Sequence, residues 1–307
     1  MPRALITGAD GFVGPYLARH LRASGTEVWG GSLGGAPHAD VEVVRLDVTD
    51  RAAVLEALQR LRPDEVYHLA ALSQPTLPDE RAYYDVNLHG TLHVLEAARA
   101  VGARVLVVSS AYVYGARAGA IPEDAPLRPM NAYGASKAAA EMAAVAAAAG
   151  GLQVVIARPF NHSGPGQPPA FFTPTLVGQL AAIRDGRAEP ELRLGNLDAV
   201  RDLSDVRDVV RAYPLLLRGG RAGEAYNVGR GEGVRMHEVV RLAVRLLGRE
   251  VRVVTDPARV RPNDLPELVA DVRKLHETID WWPGIGLEEM LGDMLDRADG
   301  SFVGAPP

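Results

Sequence analysis

Tyr133 and Lys137 stand four residues apart, a spacing that puts both side chains on one face of a helix. A phenol beside an ammonium has a lowered pKa, which makes a usable acid or base near neutrality. The lysine stands out by composition. The chain carries 33 Lys+Arg, yet lysine occurs only at Lys137 and Lys274. A position that keeps lysine against that bias needs a compact charge on a flexible stem, which a guanidinium does not provide. Taken alone, the pair is equally what a solvated helix with one chance lysine would show.

Gly8-Ala9-Asp10-Gly11-Phe12-Val13-Gly14 follows the first apolar run and opens a helical pattern. Glycines there permit a tight turn and a close backbone approach to a pyrophosphate, and the helix start offers free N–H groups to the anion. Gly8, Gly11, Phe12, Val13 and Gly14 are therefore expected to bind a dinucleotide. A partner for the adenosine ribose is missing from its usual place. Trp29-Gly30-Gly31-Ser32-Leu33-Gly34-Gly35 has no acid for an NAD ribose and no arginine for a 2′-phosphate. Ser32 could bond a phosphate or be structural, so the cofactor is NADP or NAD. Asp47-Val48 could border the adenine, and Asp47 could equally cap the next helix. Ser109-Ser110 ends an apolar run, at the strand edge where open α/β sheets bind ligands. Ser110, Tyr133 and Lys137 beside a nicotinamide make a set for moving a hydride and a proton to a carbonyl.

These residues need a scaffold, and the first half supplies one. Apolar runs at 3–7, 27–30, 41–47, 65–69, 104–109 and 153–158 alternate with helical patterns at 16–23, 52–61, 86–101 and 136–149. Buried strands separated by helices predict an α/β fold, a Rossmann-type doubly wound parallel sheet. Past Pro159 the rhythm becomes irregular, which predicts a smaller C-terminal α/β substrate domain. We expect residues 1–160 to form the dinucleotide-binding domain, rejoined by about 203–229, with 161–202 and 230–300 in the substrate domain. The tail 304–307 is expected to be disordered. Net charge −5 excludes a basic field for nucleic acid or anionic membrane. With no cysteine, disulfides and thiolate chemistry are excluded. His68, His89, His93 and His162 lack metal-ligand spacing. No apolar run is long enough to span a membrane, and no leader precedes the first strand, so a cytoplasmic protein is expected.

The chain resembles the extended short-chain dehydrogenases/reductases, the nucleotide-sugar epimerases, dehydratases and reductases. Thr7-Gly8-x-x-Gly11-Phe12-Val13-Gly14, His68-Leu69-Ala70-Ala71, Asn87-x-x-Gly90-Thr91, Ser109-Ser110-x-x-Val113-Tyr114-Gly115, Tyr133-x-x-x-Lys137 and Arg158-Pro159-Phe160-Asn161 stand in order. The resemblance implies that Ser110 holds the reacting oxygen and Tyr133 exchanges its proton. Lys137 would lower the tyrosine pKa and bind the nicotinamide ribose. Leu69, Ala70 and Ala71 would border the cofactor, Pro159 the nicotinamide, and Asn161 the diphosphate of a sugar nucleotide. Such relatives dimerise through helices equivalent to 86–101 and 136–149, so a homodimer is expected.

The stretches 158–167, 195–202, 205–213 and 261–267 look like the GDP-mannose branch of that family, which implies a GDP-sugar substrate. Arg201 and Arg261 suit a diphosphate clamp, since guanidinium forks match phosphate oxygens. Glu267 could accept hydrogen bonds from a ribose. Surface ion pairs would use the same residues. Dehydratases of this kind carry an acid just after the catalytic Ser/Thr, and here Tyr112 takes that place. A phenol with an ordinary pKa of about 10 is a poor substitute. This favours reduction of a C4 ketone, GDP-4-keto-6-deoxymannose to GDP-rhamnose. A nucleotide-sugar 4-epimerase, then a GDP-mannose 4,6-dehydratase, are the alternatives. A non-catalytic dinucleotide-binding module lies outside the enzymes.

Overall fold

The computed structural model describes residues 1–34, 41–74, 77–260 and 265–298. In chain order the strands begin with β1 (Arg3–Thr7), β2 (Glu27–Ser32), β3 (Glu42–Arg45), β4 (Glu65–His68), β5 (Arg104–Val108), β6 (Ala120–Ile121) and β7 (Val154–Pro159). They continue with β8 (Asn161–Ser163), β9 (Glu191–Leu194), β10 (Val200–Asp205), β11 (Ala225–Val228), β12 (Gly233–Arg235), β13 (Arg252–Thr255) and β14 (Glu267–Ala270). The helices are α1 (Gly14–Ala23), α2 (Arg51–Leu61), α3 (Arg81–Tyr83), α4 (Gly90–Val101) and α5 (Ala132–Ala149), then α6 (Phe172–Arg184), α7 (Val206–Gly219), α8 (Met236–Leu247), α9 (Arg273–Ile279) and α10 (Leu287–Arg297).

Seven strands make one parallel sheet in the order β11-β7-β5-β4-β1-β2-β3. This is the doubly wound α/β sheet expected from the alternating pattern. The strand order switches direction between β1 and β4, the point at whose carboxyl edge open α/β sheets bind ligands. Runs such as Ala4-Leu5-Ile6 and Val105-Leu106-Val107 are buried on both faces. On one face α1 and α7 contribute Leu17, Leu21, Val209 and Tyr213 to the core. On the other, α2, α4 and α5 contribute Leu58, Val94 and Ala144. A second sheet runs β12-β10-β14-β6, with β8 paired to β10. Its own core lies under α6, α8 and α10. Chain from 206–228 lies on the first sheet as α7 and β11, whereas β6 pairs with β14 of the second.

Several elements differ from expectation. β2 runs on through Gly30 and Gly31 to Ser32, because parallel pairing with β1 and β3 continues there. The helix expected over 86–101 does not start cleanly at 86. A π-helical turn, Tyr84–His89, joins α3 to α4. α5 starts at Ala132, capped by Asn131, whose side chain accepts the Gly134 N–H at 2.8 Å. Tyr133 therefore sits in the first helical turn. Asp50, not Asp47, caps α2, by accepting the N–H groups of Ala52 and Ala53. Residues 304–307 lie outside the described residues.

One buried ion pair ties the two sheets to α5. Arg158 on β7 donates through Nη2 to Glu141 Oε2 at 2.6 Å and through Nε to Oε1 at 2.9 Å, with side chains only 7% and 1% exposed. The Ser109 hydroxyl also donates to Glu141. Arg158 Nη1 donates to the Tyr114 hydroxyl at 2.8 Å, and that hydroxyl donates to Asn227 Oδ1 at 2.7 Å. Asn227 in turn donates to the carbonyls of Ile121 and Asp271. Removing one member of such a pair leaves a charge without its partner in low dielectric. Arg158→Met is expected to cost about 3–5 kcal/mol in urea unfolding, and the double replacement Arg158→Met/Glu141→Leu to recover much of that loss.

Candidate active site

β5 ends at Val108, and Ser110 then caps the short 3-10 turn Ala111–Tyr114 by accepting the Tyr112 N–H at 3.2 Å. The extended backbone at Ser110 holds its hydroxyl at the sheet's carboxyl edge. Tyr133 enters from α5, and its phenol lies near enough to Ser110 for that hydroxyl to favour the ionised form. Both side chains are largely buried. The Tyr133 ring is flanked by Tyr112, at 5.8 Å between centroids and 68°, and by Tyr83, at 6.0 Å and 57°. Lys137 lies one turn further on, buried, with Nζ donating to the Val108 carbonyl at 2.8 Å.

The electrostatics correct one expectation. Tyr133 is pushed up to about 12 by burial, against the lowering effect of the Ser110 hydroxyl, with Tyr112 and Tyr83 adding to the rise. Lys137 does not lower it in this arrangement. The ammonium is engaged with Val108, and burial brings its own pKa down to about 8, while Glu141 opposes that fall. The phenol is thus protonated at neutral pH, and the lysine titrates close to it.

A polar chain behind these residues was not anticipated from the sequence. The Ala70 N–H donates to Thr7 Oγ1 at 3.2 Å, and Thr7 Oγ1 lies 2.8 Å from His68 Nδ1. His68 Nε2 lies 3.0 Å from Thr91 Oγ1, which donates to the Asn87 carbonyl at 2.6 Å. Thr91 has spent its hydrogen, so it must accept from His68, and Nε2 carries the imidazole proton. Burial first, then the Lys137 charge, brings the His68 pKa to about 3, so the ring is neutral. Asn87, on the π-helical turn, accepts the Leu72 N–H at 2.9 Å and donates to Ser136 Oγ at 3.0 Å. Ser136 donates to the Tyr133 carbonyl at 2.8 Å. The segment 69–72 is thereby locked to the first turn of α5.

The glycine turn lies beside this segment and fits a dinucleotide. Gly8 adopts φ +68°, and a Cβ there would lie 2.8 Å from the Ala70 backbone. A Cβ on Gly14 would lie 2.3 Å from the Ala9 carbonyl oxygen. The start of α1 has no side-chain cap and no acid in its first turn, which leaves its N–H groups for an anion. Phe12 stacks on His162 at 6.2 Å and 9°, so the turn touches the strand that carries Asn161. Val13 caps α1 with its backbone, and Ser32 is buried at the end of β2. Leu69, Ala70 and Ala71 are half-buried beside Gly8, and Pro159 is buried at the end of β7. Asp47 holds Thr49 through Oδ1, and Val48 is buried against the position of a Gly90 side chain.

The substrate-side residues are spread more widely. Asn161 starts β8 and presents a buried Oδ1 with no partner among the described residues, a ready acceptor. Arg201 is buried on β10 and donates to the Val200 carbonyl at 2.9 Å. Glu267 starts β14, in register with Val200. Arg261 lies outside the described residues. Among those residues no group of three or more His, Asp or Glu could hold a metal ion, and no helix is long and apolar enough to cross a membrane.

A Rossmann-type sheet with this Ser-Tyr-Lys set defines an epimerase/dehydratase-type short-chain dehydrogenase/reductase. The chain belongs to the GDP-mannose 4,6 dehydratase family, whose model matches residues 5–294. It is 35% identical over 303 residues to GDP-6-deoxy-D-mannose reductase of Pseudomonas aeruginosa, covering 95% of this chain and 96% of the relative. It is also 35% identical over 305 residues to UDP-glucose 4-epimerase of Streptomyces lividans, covering 91% of each. Among solved structures, RMD from Pseudomonas aeruginosa complexed with NADPH matches with a TM-score of 0.83 and 31% identity, covering 97% of this chain and 99% of that one.

The buried lysine makes a stability prediction. Its pKa is depressed from 10.5 to about 8, so the unfolded chain holds the proton more tightly than the fold does. The buried charge costs stability below about pH 8, and that cost fades as pH rises towards 10.5. Lys137→Met is expected to gain roughly 1–3 kcal/mol at pH 7, after the lost Val108 bond is counted, and to lose most of that gain by pH 10. Thermal unfolding across that range, read beside turnover, checks it.

Proposed function

We propose that this protein reduces the C4 ketone of a GDP-4-keto-6-deoxy-hexose, converting GDP-4-keto-6-deoxymannose to GDP-rhamnose. The observation that carries the reading is Tyr112. Its ring packs edge-on against Tyr133, in the place where a dehydratase of this family would carry an acid. Without that acid the site lacks a group to take the C5 proton and release the C6 hydroxyl. What remains is chemistry at one carbonyl. The reductase relative from Pseudomonas aeruginosa, matched over nearly its whole length, supports the same reaction.

The nicotinamide, when bound, supplies the hydride that the C4 carbon receives. Gly8, Gly11 and the start of α1 would hold the dinucleotide's pyrophosphate, and Leu69 to Ala71 and Pro159 would border the rest. Tyr133 gives its proton to the carbonyl oxygen as negative charge develops there. Burial keeps that phenol protonated, which is the form a reduction needs. Ser110 donates a hydrogen bond to the same oxygen, a pre-aimed donor in a site shielded from water. Lys137 places positive charge beside the phenolate left behind, and Asn161 and Arg201 would receive the diphosphate.

The enzyme acts as a homodimer packed through α4 and α5. Leu92, Met142 and Val145 on those helices are 44%, 53% and 41% exposed, an apolar face that a second copy would cover. Met142→Arg is expected to yield a monomer in light scattering after gel filtration, where wild type runs as a dimer.

With the keto-sugar nucleotide, wild type is expected to oxidise NADPH or NADH stoichiometrically. Tyr133→Phe should turn over about 10²–10⁴-fold more slowly while binding cofactor as before. A near-normal rate in that variant would overturn the role given to Tyr133. Interconversion of sugar epimers with no net oxidation of cofactor would instead favour the epimerase.

A further inference from the structure

The end of β2, where the adenosine ribose of a dinucleotide lies, offers Ser32, Leu33 and Gly34 and no charged side chain of its own. The sheet brings one there. β2 and β3 run parallel with Ser32 opposite Arg45, the last pair of the ladder at the carboxyl edge. The two side chains share a face of the sheet, as the packing of their neighbours shows. A Cβ on Gly30 would meet Ala9 and Val41, which lie in the core beneath α1, whereas one on Gly31 would meet Leu46 on the opposite face. Alternation places Ser32 with Gly30. Val43 packs on the α1 side and Val44 on the other, so Arg45 falls with Val43. That face carries the glycine turn, whose Ala9 N–H donates to the Gly31 carbonyl at 3.1 Å.

Arg45 is exposed and, among the described residues, makes no ion pair or side-chain hydrogen bond. Arg51, Arg158, Arg207, Arg218, Arg252 and Arg273 are all engaged with carboxylates. A free guanidinium fork at the ribose edge, in a chain of net charge −5, is a place for a phosphate monoester.

We infer that Arg45 binds the 2′-phosphate of NADPH and sets the preference for the phosphorylated cofactor. The inference rests on the dinucleotide reading of the glycine turn and is independent of which sugar is reduced. Asp10, exposed on the same turn, is the competing group. Its carboxylate would accept from an unphosphorylated ribose and repel the phosphate.

Cofactor binding without sugar substrate tests it, by quenching of protein fluorescence with NADPH and NADH. Wild type is expected to bind NADPH at least about tenfold more tightly than NADH, with the preference shrinking as salt is raised. Arg45→Gln should weaken NADPH by about tenfold or more and leave NADH within about twofold, which also reports an intact fold. Arg45→Lys should restore part of the preference. An unchanged NADPH affinity in Arg45→Gln, or a wild type that prefers NADH, overturns the assignment and leaves the reductase reading standing. Failure of both cofactors to bind wild type would overturn the dinucleotide reading itself.

Discussion

The Arg158–Glu141 ion pair is the interaction on which the rest of the site depends. Each participant neighbours a residue of the proposed site. Glu141 lies one helical turn beyond Lys137, which lies one turn beyond Tyr133, so all three occupy one stripe of α5. Ser109, which donates to Glu141, precedes Ser110. Arg158 precedes Pro159, and through Tyr114 and Asn227 it reaches the second sheet. A buried pair of this kind contributes little net stability, because desolvation offsets its attraction. It penalises wrong arrangements heavily. The consequence is a single register of α5 against β5 and β7, which is what a proton donor needs to meet a carbonyl held by another element.

The same burial sets the charge states. It keeps the Tyr133 phenol protonated, brings the Lys137 ammonium down to a value near neutrality, and holds His68 neutral. These are one physical effect, the cost of charge in low dielectric, acting on an acid and two bases in opposite directions. Glu141 moderates it at Lys137, one helical turn beyond Tyr133. The ion pair thus serves geometry and electrostatics together. The chain from Thr7 to Ser136 extends that control to the cofactor side, where a neutral, doubly bonded imidazole adds rigidity without adding charge.

Much of the fold was legible because buried parallel strands read as unbroken apolar runs and each helix between them carries its own period. Boundaries slipped where packing overrode local preference. The apolar run ends at Gly30, yet pairing on both sides carries β2 to Ser32. The π-helical turn has no local signature in 84–89. It is visible only through Asn87, which must reach both Leu72 and Ser136. The Ser-Tyr-Lys set was legible as residue types at suggestive spacings. Glu141 had a signal, an acid four residues past the lysine in an alanine-rich helix. Arg158 as its partner had none, since it lies seventeen positions on, in a different element.

The sequence alone determined the menu: a glycine turn after a strand, a tyrosine and lysine one helical turn apart, an aromatic residue where related dehydratases carry an acid, and no thiol. These are local facts of type and spacing, and no packing can alter them. Tertiary structure decided the state of each group. It raised the phenol that spacing suggested would be lowered, because burial is a property of every neighbour and not of the residue four places away. It also laid Arg45 beside Ser32, thirteen residues apart in the chain, because parallel pairing joins positions that no local period relates.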